Sequence, residues 1–159
     1  MYEETFPKLI FRYEGEFDFQ GLYERIADFF RRREYDFWET GWKEKDGTPQ
    51  GREITMKFKP DLKVNEYIRY RYEIQFKAVD AHWVNKNTMH ARFHIHVQPK
   101  IQFDWQSIGV RKGKKKHFLV RFYENYLFNK EAEHYHVDAV EQEVQKFLDE
   151  VKEFLGVEL

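Results

Sequence analysis

The sequence predicts an α+β fold, an antiparallel β-sheet packed against a long C-terminal helix with one helix inserted after the first strand. Two stretches carry that prediction. From Glu66 to Ala78 the chain alternates: Ile68, Tyr70, Tyr72, Ile74, Phe76 and Ala78 are apolar or aromatic, and Arg69, Arg71, Glu73, Gln75 and Lys77 between them are polar. A period of two marks a strand with one buried and one wet face, whereas a parallel strand covered on both sides reads as a continuous apolar run. Near the C-terminus, Val140, Val144, Phe147, Leu148, Val151, Phe154 and Leu155 form the stripe of an amphipathic helix. A sheet with one apolar face must bury it against another layer.

Taken in order, Lys8 to Phe17 alternates loosely and is the first expected strand. Asp18 has the character of a helix N-cap, and Leu22, Tyr23, Ile26, Phe29 and Phe30 follow at helical spacing. Arg31, Arg32 and Arg33 then sit in the last turn, where positive charge suits the helix dipole. Tyr35 to Lys45 is the second strand, Asp46 to Gly51 a turn rich in Gly and Pro, and Arg52 to Lys59 a third strand with Ile54, Met56 and Phe58 inward. Pro60-Asp61 ends it and the alternating strand follows. After a polar break at Asn85-Lys86-Asn87, Thr88 to Gln98 places Met89, Ala91, Phe93, Ile95 and Val97 on one face. Pro99 has no amide hydrogen to donate, so an edge or a bulge is expected there, with Ile101, Phe103 and Trp105 continuing beyond it. Gly109 to Lys116 is a basic loop. His117 to Phe128 carries a broad helical face, its first half also compatible with a strand, and Gly156 stops the last helix.

At 159 residues one domain is expected, large enough to bury roughly 70% of its unfolded surface. Aromatics make up 19% of the chain, an excess that suits a bulky core, a ligand cavity or an interface. The absence of Cys removes disulfides, thiolate metal sites and a Cys nucleophile, and fits a reducing cytoplasm. The acidic start, followed by no apolar run, is not a signal peptide, and no stretch approaches the length of a membrane-spanning helix, so a soluble, cytoplasmic protein is expected. Net charge is −1, but it is segregated: −2 over residues 1–80, +8 over 81–130 and −7 over 131–159. Such blocks either attract each other within the fold or face a charged partner.

No catalytic, cofactor or metal motif stands out. His90, His94 and His96 share one strand face at His-x-His spacing, which can chelate an ion, yet Arg92 and Lys100 lie on that face and no carboxylate is near in sequence. Solvated histidines are therefore the favoured reading, and no metal is assigned. Arg111, Lys112, Lys114, Lys115 and Lys116 form the densest basic run, a candidate contact with an anionic surface. Nucleic acid is disfavoured there by the net charge and the acidic last helix. No pair of acids is placed for general acid–base work, and Ser107 lacks a nucleophile-elbow context. The inward aromatics Tyr70, Tyr72, Phe76, Phe93, Phe103 and Trp105 are the candidate ligand-binding set, because two tyrosines on a core face need polar partners that a core, a ligand group or a water can supply.

The order of a strand, a helix, four or five antiparallel strands and a C-terminal helix resembles the helix-grip fold of START-type lipid-transfer domains and the birch-pollen-allergen superfamily. In that family a curved antiparallel sheet wraps the C-terminal helix around an apolar cavity, and some members are enzymes. The chain departs from it in having one helix of ordinary length after the first strand instead of two short ones, and two expected helices at the C-terminal end. The stretch Glu34-Tyr35-Asp36-Phe37-Trp38-Glu39-Thr40-Gly41-Trp42-Lys43-Glu44-Lys45 is similar to one in small uncharacterised archaeal proteins, which implies no activity. A ferredoxin-like helix-on-sheet arrangement is the structural alternative. The aromatic load together with this helix-grip-like order points to a non-catalytic binding domain holding an apolar or lipid-like small molecule between sheet and helix, and in the absence of a cofactor motif no cofactor is expected. The alternative is an interaction or self-assembling module pairing through Val137, Val140, Val144, Phe147, Val151 and Phe154. A histidine metal enzyme ranks behind both.

Overall fold

A computed structural model describes residues 2–49, 51–103 and 130–157. Its fold is α+β: seven antiparallel strands in one curved sheet, one helix among the early strands and one long C-terminal helix. The strands are β1 (Tyr2–Thr5), β2 (Leu9–Asp18), β3 (Glu39–Thr48), β4 (Gly51–Phe58), β5 (Asp61–Lys63), β6 (Ile68–Trp83) and β7 (Thr88–Phe103), and the helices are α1 (Phe19–Arg31) and α2 (Lys130–Leu155). The inserted helix follows β2, because a short strand, β1, precedes the expected first one. All described strand pairs are antiparallel, so the parallel pairing of a split βαβ unit is not among them.

The long β6–β7 hairpin is the centre of the sheet. On one side β7 pairs with β1 through Lys100–Phe103 and with β2 through Thr88–Val97. On the other, β6 pairs with β5 through Arg69–Arg71 and with β4 through Ile74–Ala78, and β3 closes the edge beyond β4. Both flanking strands are broken at the same level, and prolines mark the breaks. Pro7 lies between β1 and β2, Pro60 between β4 and β5, and Pro99 faces Tyr72 inside β7. Pro99 therefore sits in a central strand. Its missing donor is tolerated because pairing on that side has lapsed, leaving the Pro99 carbonyl to accept from Phe6 N at 3.1 Å. Tyr72 N likewise donates to the Pro60 carbonyl at 3.0 Å. The prolines thus form a line across the sheet along which regular pairing is interrupted.

The alternation of β6 holds from Ile68 to Ala78, each apolar position buried. It then changes parity. Asp80 adopts φ 53, pairing slips between Val79 and His82, and Ala81 becomes the next buried residue. This bulge lets β6 run on to Trp83, beyond the point where alternation in the sequence stops.

Both helices cover the inward face. Asp18 caps α1, its Oδ1 accepting from Gly21 N at 3.0 Å. Position 21 is Gly for a reason of space, since a Cβ there would lie 2.5 Å from Asp18 Oδ2 and 2.8 Å from the Phe154 ring. At the other end Glu34 turns into the left-handed region at φ 64, and Tyr35 N returns to the Phe30 carbonyl at 3.0 Å. The buried face of α1 presents Phe19 to Phe76 and Phe30 to Tyr72. On α2, Val140, Val144, Phe147, Leu148 and Val151 are buried in the same core. Phe147 meets Phe29 and Phe30 at 5.3 and 5.2 Å between ring centroids. The α2 stripe that could have formed a pairing seam thus packs largely within the chain. Arg32 holds Glu150 through two hydrogen bonds of 2.8 and 2.9 Å, with Arg25 nearby, so part of the acidic block is matched by the arginines of α1. No described helix is long and apolar enough to cross a membrane.

Candidate functional site

The sheet has two faces of different character, and the candidate residues divide between them. On the inward face, Phe76 and Phe93 stack against each other at 4.9 Å and meet Phe17 from β2. Phe103 is buried opposite Ile68. Tyr72 is 1% exposed and Tyr35 4%, and both hydroxyls donate to the same oxygen, Glu143 Oε1 of α2, the Tyr72 bond measuring 2.5 Å. Burial, then the Glu143 charge and hydrogen bond, pushes the Tyr72 hydroxyl far above its ordinary pKa. Tyr35 moves the same way, with burial again the largest cause. Tyr70 meets His136 Nδ1 at 2.6 Å. Burial, aided by Tyr135 and Glu143, pushes the Tyr70 hydroxyl up to about 12, and burial lowers His136. The hydroxyl therefore keeps its proton at neutral pH and shares one hydrogen bond with the His136 ring nitrogen.

The tyrosines of the ligand-binding set thus have polar partners supplied by α2. They and their partners form a chain of contacts, Tyr35–Glu143–Tyr72 and Tyr70–His136, that ties the last helix to the middle of the sheet. Beside it, Phe6, Pro7, Leu9, Pro99, Val140 and Val144 line an apolar pocket of about 200 Å³ where the break between β1 and β2 meets α2. Trp105 and the run Arg111, Lys112, Lys114, Lys115 and Lys116 lie outside the described residues.

The outward face carries no helix among the described residues. Register places its side chains in rows that run across the strands. One row reads Arg12, His94, Lys77, Thr55, Lys43 from β2 to β3, and the next reads Ile10, His96, Gln75, Lys57, Gly41. Lys8 and Arg92 flank them. None of Lys8, Arg12, Lys43, Lys57, Lys77 and Arg92 forms an ion pair among the described residues; of the carboxylates on this face, Glu73 takes Lys100 at 3.1 Å and Glu14 lies in register with Arg92. Two shallow depressions open on this face. One, of about 420 Å³, is lined by Lys8, Lys57, Lys59, Glu73, Gln75 and His96 among others. The other, of about 560 Å³, has Arg12, Lys77, Arg92 and His94, with Glu14 beside them.

His90, His94 and His96 do share this face, but they do not converge. His94 and His96 lie 4.4 Å apart between ring centroids, while His90 stacks on His82 across the hairpin at 5.0 Å. Among the described residues no group of three or more His, Asp or Glu is arranged to hold a metal ion. His94 is lowered by burial and then by His96, Lys77 and Arg12, and His96 by burial and then by Lys8 and Arg12. Burial, the larger cause, disfavours any charge there, whereas the cationic neighbours disfavour a bound cation and favour an anion.

The lysines and arginines of these rows are functional candidates that sequence reasoning missed, because they are dispersed from position 8 to position 92. The signal that collects them is strand register: on β2, β4, β6 and β7 they occupy the parity opposite to the buried positions, and on β3 pairing with β4 places Lys43 beside Thr55. The chain matches no known family model, and no curated protein matches it.

Proposed function

We propose that this protein is a non-catalytic binding domain whose outward sheet face takes an extended phosphate-bearing polyanion. The observation that carries the reading is the set of lysines and arginines across two adjacent rows of the sheet, without ion-pair partners among the described residues, beside two open depressions. The amide group of Gln75 lines the same area and offers a neutral donor between the charges, whereas the Thr40 hydroxyl donates to the Lys57 carbonyl and the Gln98 amide to the Phe6 carbonyl. An extended ligand crossing the strands meets several cations in succession, and each cation near a phosphate contributes about 1 kcal/mol in a high-dielectric setting.

The test is binding of labelled oligothymidylate and of inorganic polyphosphate at two salt concentrations, both above about 0.1 M. Binding that weakens with salt is expected. Reversing two row charges, Arg12→Glu with Lys77→Glu, should weaken it more than about tenfold. Lys146→Glu, on the exposed side of α2, should change it less than about twofold, because that side chain points away from the sheet. Equal loss in both variants, or no binding of either probe, overturns the proposal.

The apolar pocket between α2 and the sheet supports a second reading, a domain that holds a small apolar or lipid-like molecule at the edge of the helix. Native mass spectrometry of freshly purified protein is its test. A mass increment of a few hundred daltons that is lost on denaturation supports it, and a bare chain mass counts against it.

A further inference from the structure

Two imidazoles stand in the middle of the cationic rows, and their position has a consequence for how an anion is held there. Building on the polyanion reading above, we infer that His94 and His96 make capture on the outward face proton-coupled, so that the face takes up protons as the anion binds and holds it more tightly in mild acid. The rings are 4.4 Å apart between centroids and are half-buried in the floor of the two depressions, His96 in one and His94 in the other. An anion spanning both depressions lies over both rings.

The groups that face this pair are known from every neighbouring strand. From the β2 side come Lys8, Ile10 and Arg12, with Glu14 one row further on. From β6 come Gln75 and Lys77, with Glu73 one row away, and from β4 comes Lys57. Along β7 itself the neighbours are Arg92 and Gln98. The carboxylates of those rows sit opposite other residues: Glu14 is in register with Arg92, and Glu73 is bound to Lys100. Glu14 lines the depression that holds His94 and Glu73 the one that holds His96, but the charges that act most on the rings are cationic, Lys77 and Arg12 on His94 and Lys8 and Arg12 on His96. Burial and the neighbouring cations hold both imidazoles neutral at neutral pH. A bound phosphate chain offsets that repulsion and raises the proton affinity of both rings. Thermodynamic linkage requires the reciprocal effect, in which protonating the rings raises the affinity for the anion.

The experiment titrates labelled oligothymidylate into the full chain at about pH 8 and about pH 5.5 and at constant ionic strength, on either side of the ordinary imidazole range. The phosphodiesters of this probe keep their charge throughout, so a change in affinity reports the protein. Each imidazole that becomes charged within contact distance should tighten binding about fivefold. The double variant His94→Asn/His96→Asn should bind at about pH 8 as the parent does and lose the gain in acid, with circular dichroism confirming that both proteins stay folded at both pH values. If the double variant does not fold, His96→Asn alone should lose part of the gain.

Equal affinity of the parent protein at the two pH values overturns the inference and leaves the polyanion reading standing. A gain in acid that survives in the variants overturns it as well, by assigning the effect to other groups. Absence of binding at both pH values overturns the polyanion reading and the inference together.

Discussion

The contact between α2 and the sheet makes a sharp prediction at Glu143. One carboxylate oxygen accepts both the Tyr35 and Tyr72 hydroxyls, and both tyrosines are buried. Glu143→Ala removes the acceptor and leaves two buried donors without a partner, each costing about 1–3 kcal/mol. Part of that loss is offset because a half-buried charge no longer has to be desolvated, so a net loss of about 3 kcal/mol is expected. For a chain of this length the corresponding fall in melting temperature is about 10 °C. Glu143→Gln keeps a neutral oxygen acceptor and should lose about half as much, because bonds to a charged acceptor are about twice as strong as neutral ones. The assay is urea unfolding followed by circular dichroism, run as a double-mutant cycle. In a background carrying Tyr35→Phe and Tyr72→Phe the donors are gone, and Glu143→Ala should then cost less than about 1 kcal/mol. If Glu143→Ala lies within about 0.5 kcal/mol of the parent, or if its effect is the same in both backgrounds, the hydroxyls do not depend on Glu143 and the argument fails.

Three further predictions rest on single contacts. Burial lowers the pKa of His136 in the folded state, so the unfolded chain binds more protons below its ordinary value of about 6.5. The stability that His136 contributes is present above that value and is lost as pH falls toward the folded pKa, with a slope of at most about 1.4 kcal/mol per pH unit; His136→Asn should flatten the curve measured from about pH 8 to about pH 5. Asp61 is 4% exposed and is gripped by Arg69 through Nε at 2.6 Å and through Nη2. Arg69→Ala should therefore cost about 3–5 kcal/mol, and Arg69→Lys, which cannot reproduce the fork, most of that; a loss below about 1 kcal/mol in either would show that the carboxylate finds other partners. The exposed pair of Arg32 with Glu150 has similar distances but lies in water, so Arg32→Ala should cost under about 1 kcal/mol in the same unfolding assay.

Much of the scaffold is legible in the sequence because it rests on short-range periodicity. The alternation of Ile68 to Ala78 and of Met89 to Val97, the stripe from Val140 to Val151, the Asp18 cap and the Gly156 stop all recur in the structure. The elements that escape are those where the local signal is short or changes phase. β1 has four residues, too few for alternation to rise above chance. The extension of β6 to Trp83 is hidden because the bulge at Asp80 inverts the parity of the buried positions. Pro99 reads as a strand edge, yet it sits centrally because the flanking chain is itself interrupted at Pro7. The site is less legible than the scaffold. Glu143 meets partners 108 and 71 residues away, and nothing near it in the chain marks it as different from the other acids of α2. The cations of the outward face fall mostly in the segment whose net charge is −2, where intervening acids cancel them in any running sum. Only the register between strands separates them.

That separation also answers the objection raised by net charge. A chain at −1 whose last 29 residues carry −7 looks unsuited to a polyanion if its charges are pictured as mixed. The sheet divides them. The described part of α2 lies against the inward face, where the Glu150 carboxylate is held by Arg32 and the Glu143 carboxylate by two tyrosines, while Lys8, Arg12, Lys57 and Lys77 point to the other side. The thickness of a sheet and a helix layer exceeds the Debye length of about 10 Å at 0.1 M salt, so the solvent-facing acids of α2 are largely screened at the outward surface. An approaching anion experiences the nearest row of charges and little of the molecular total. Salt should therefore act in opposite directions in two ranges. At very low ionic strength, where the Debye length reaches about 30 Å, the helix acids oppose binding, and adding a little salt should strengthen it. Above about 0.1 M salt the local rows alone remain and further salt should weaken binding. Affinity that falls monotonically from the lowest salt upward would mean that α2 exerts no influence on the outward face, and affinity that rises throughout would place the anion away from these rows.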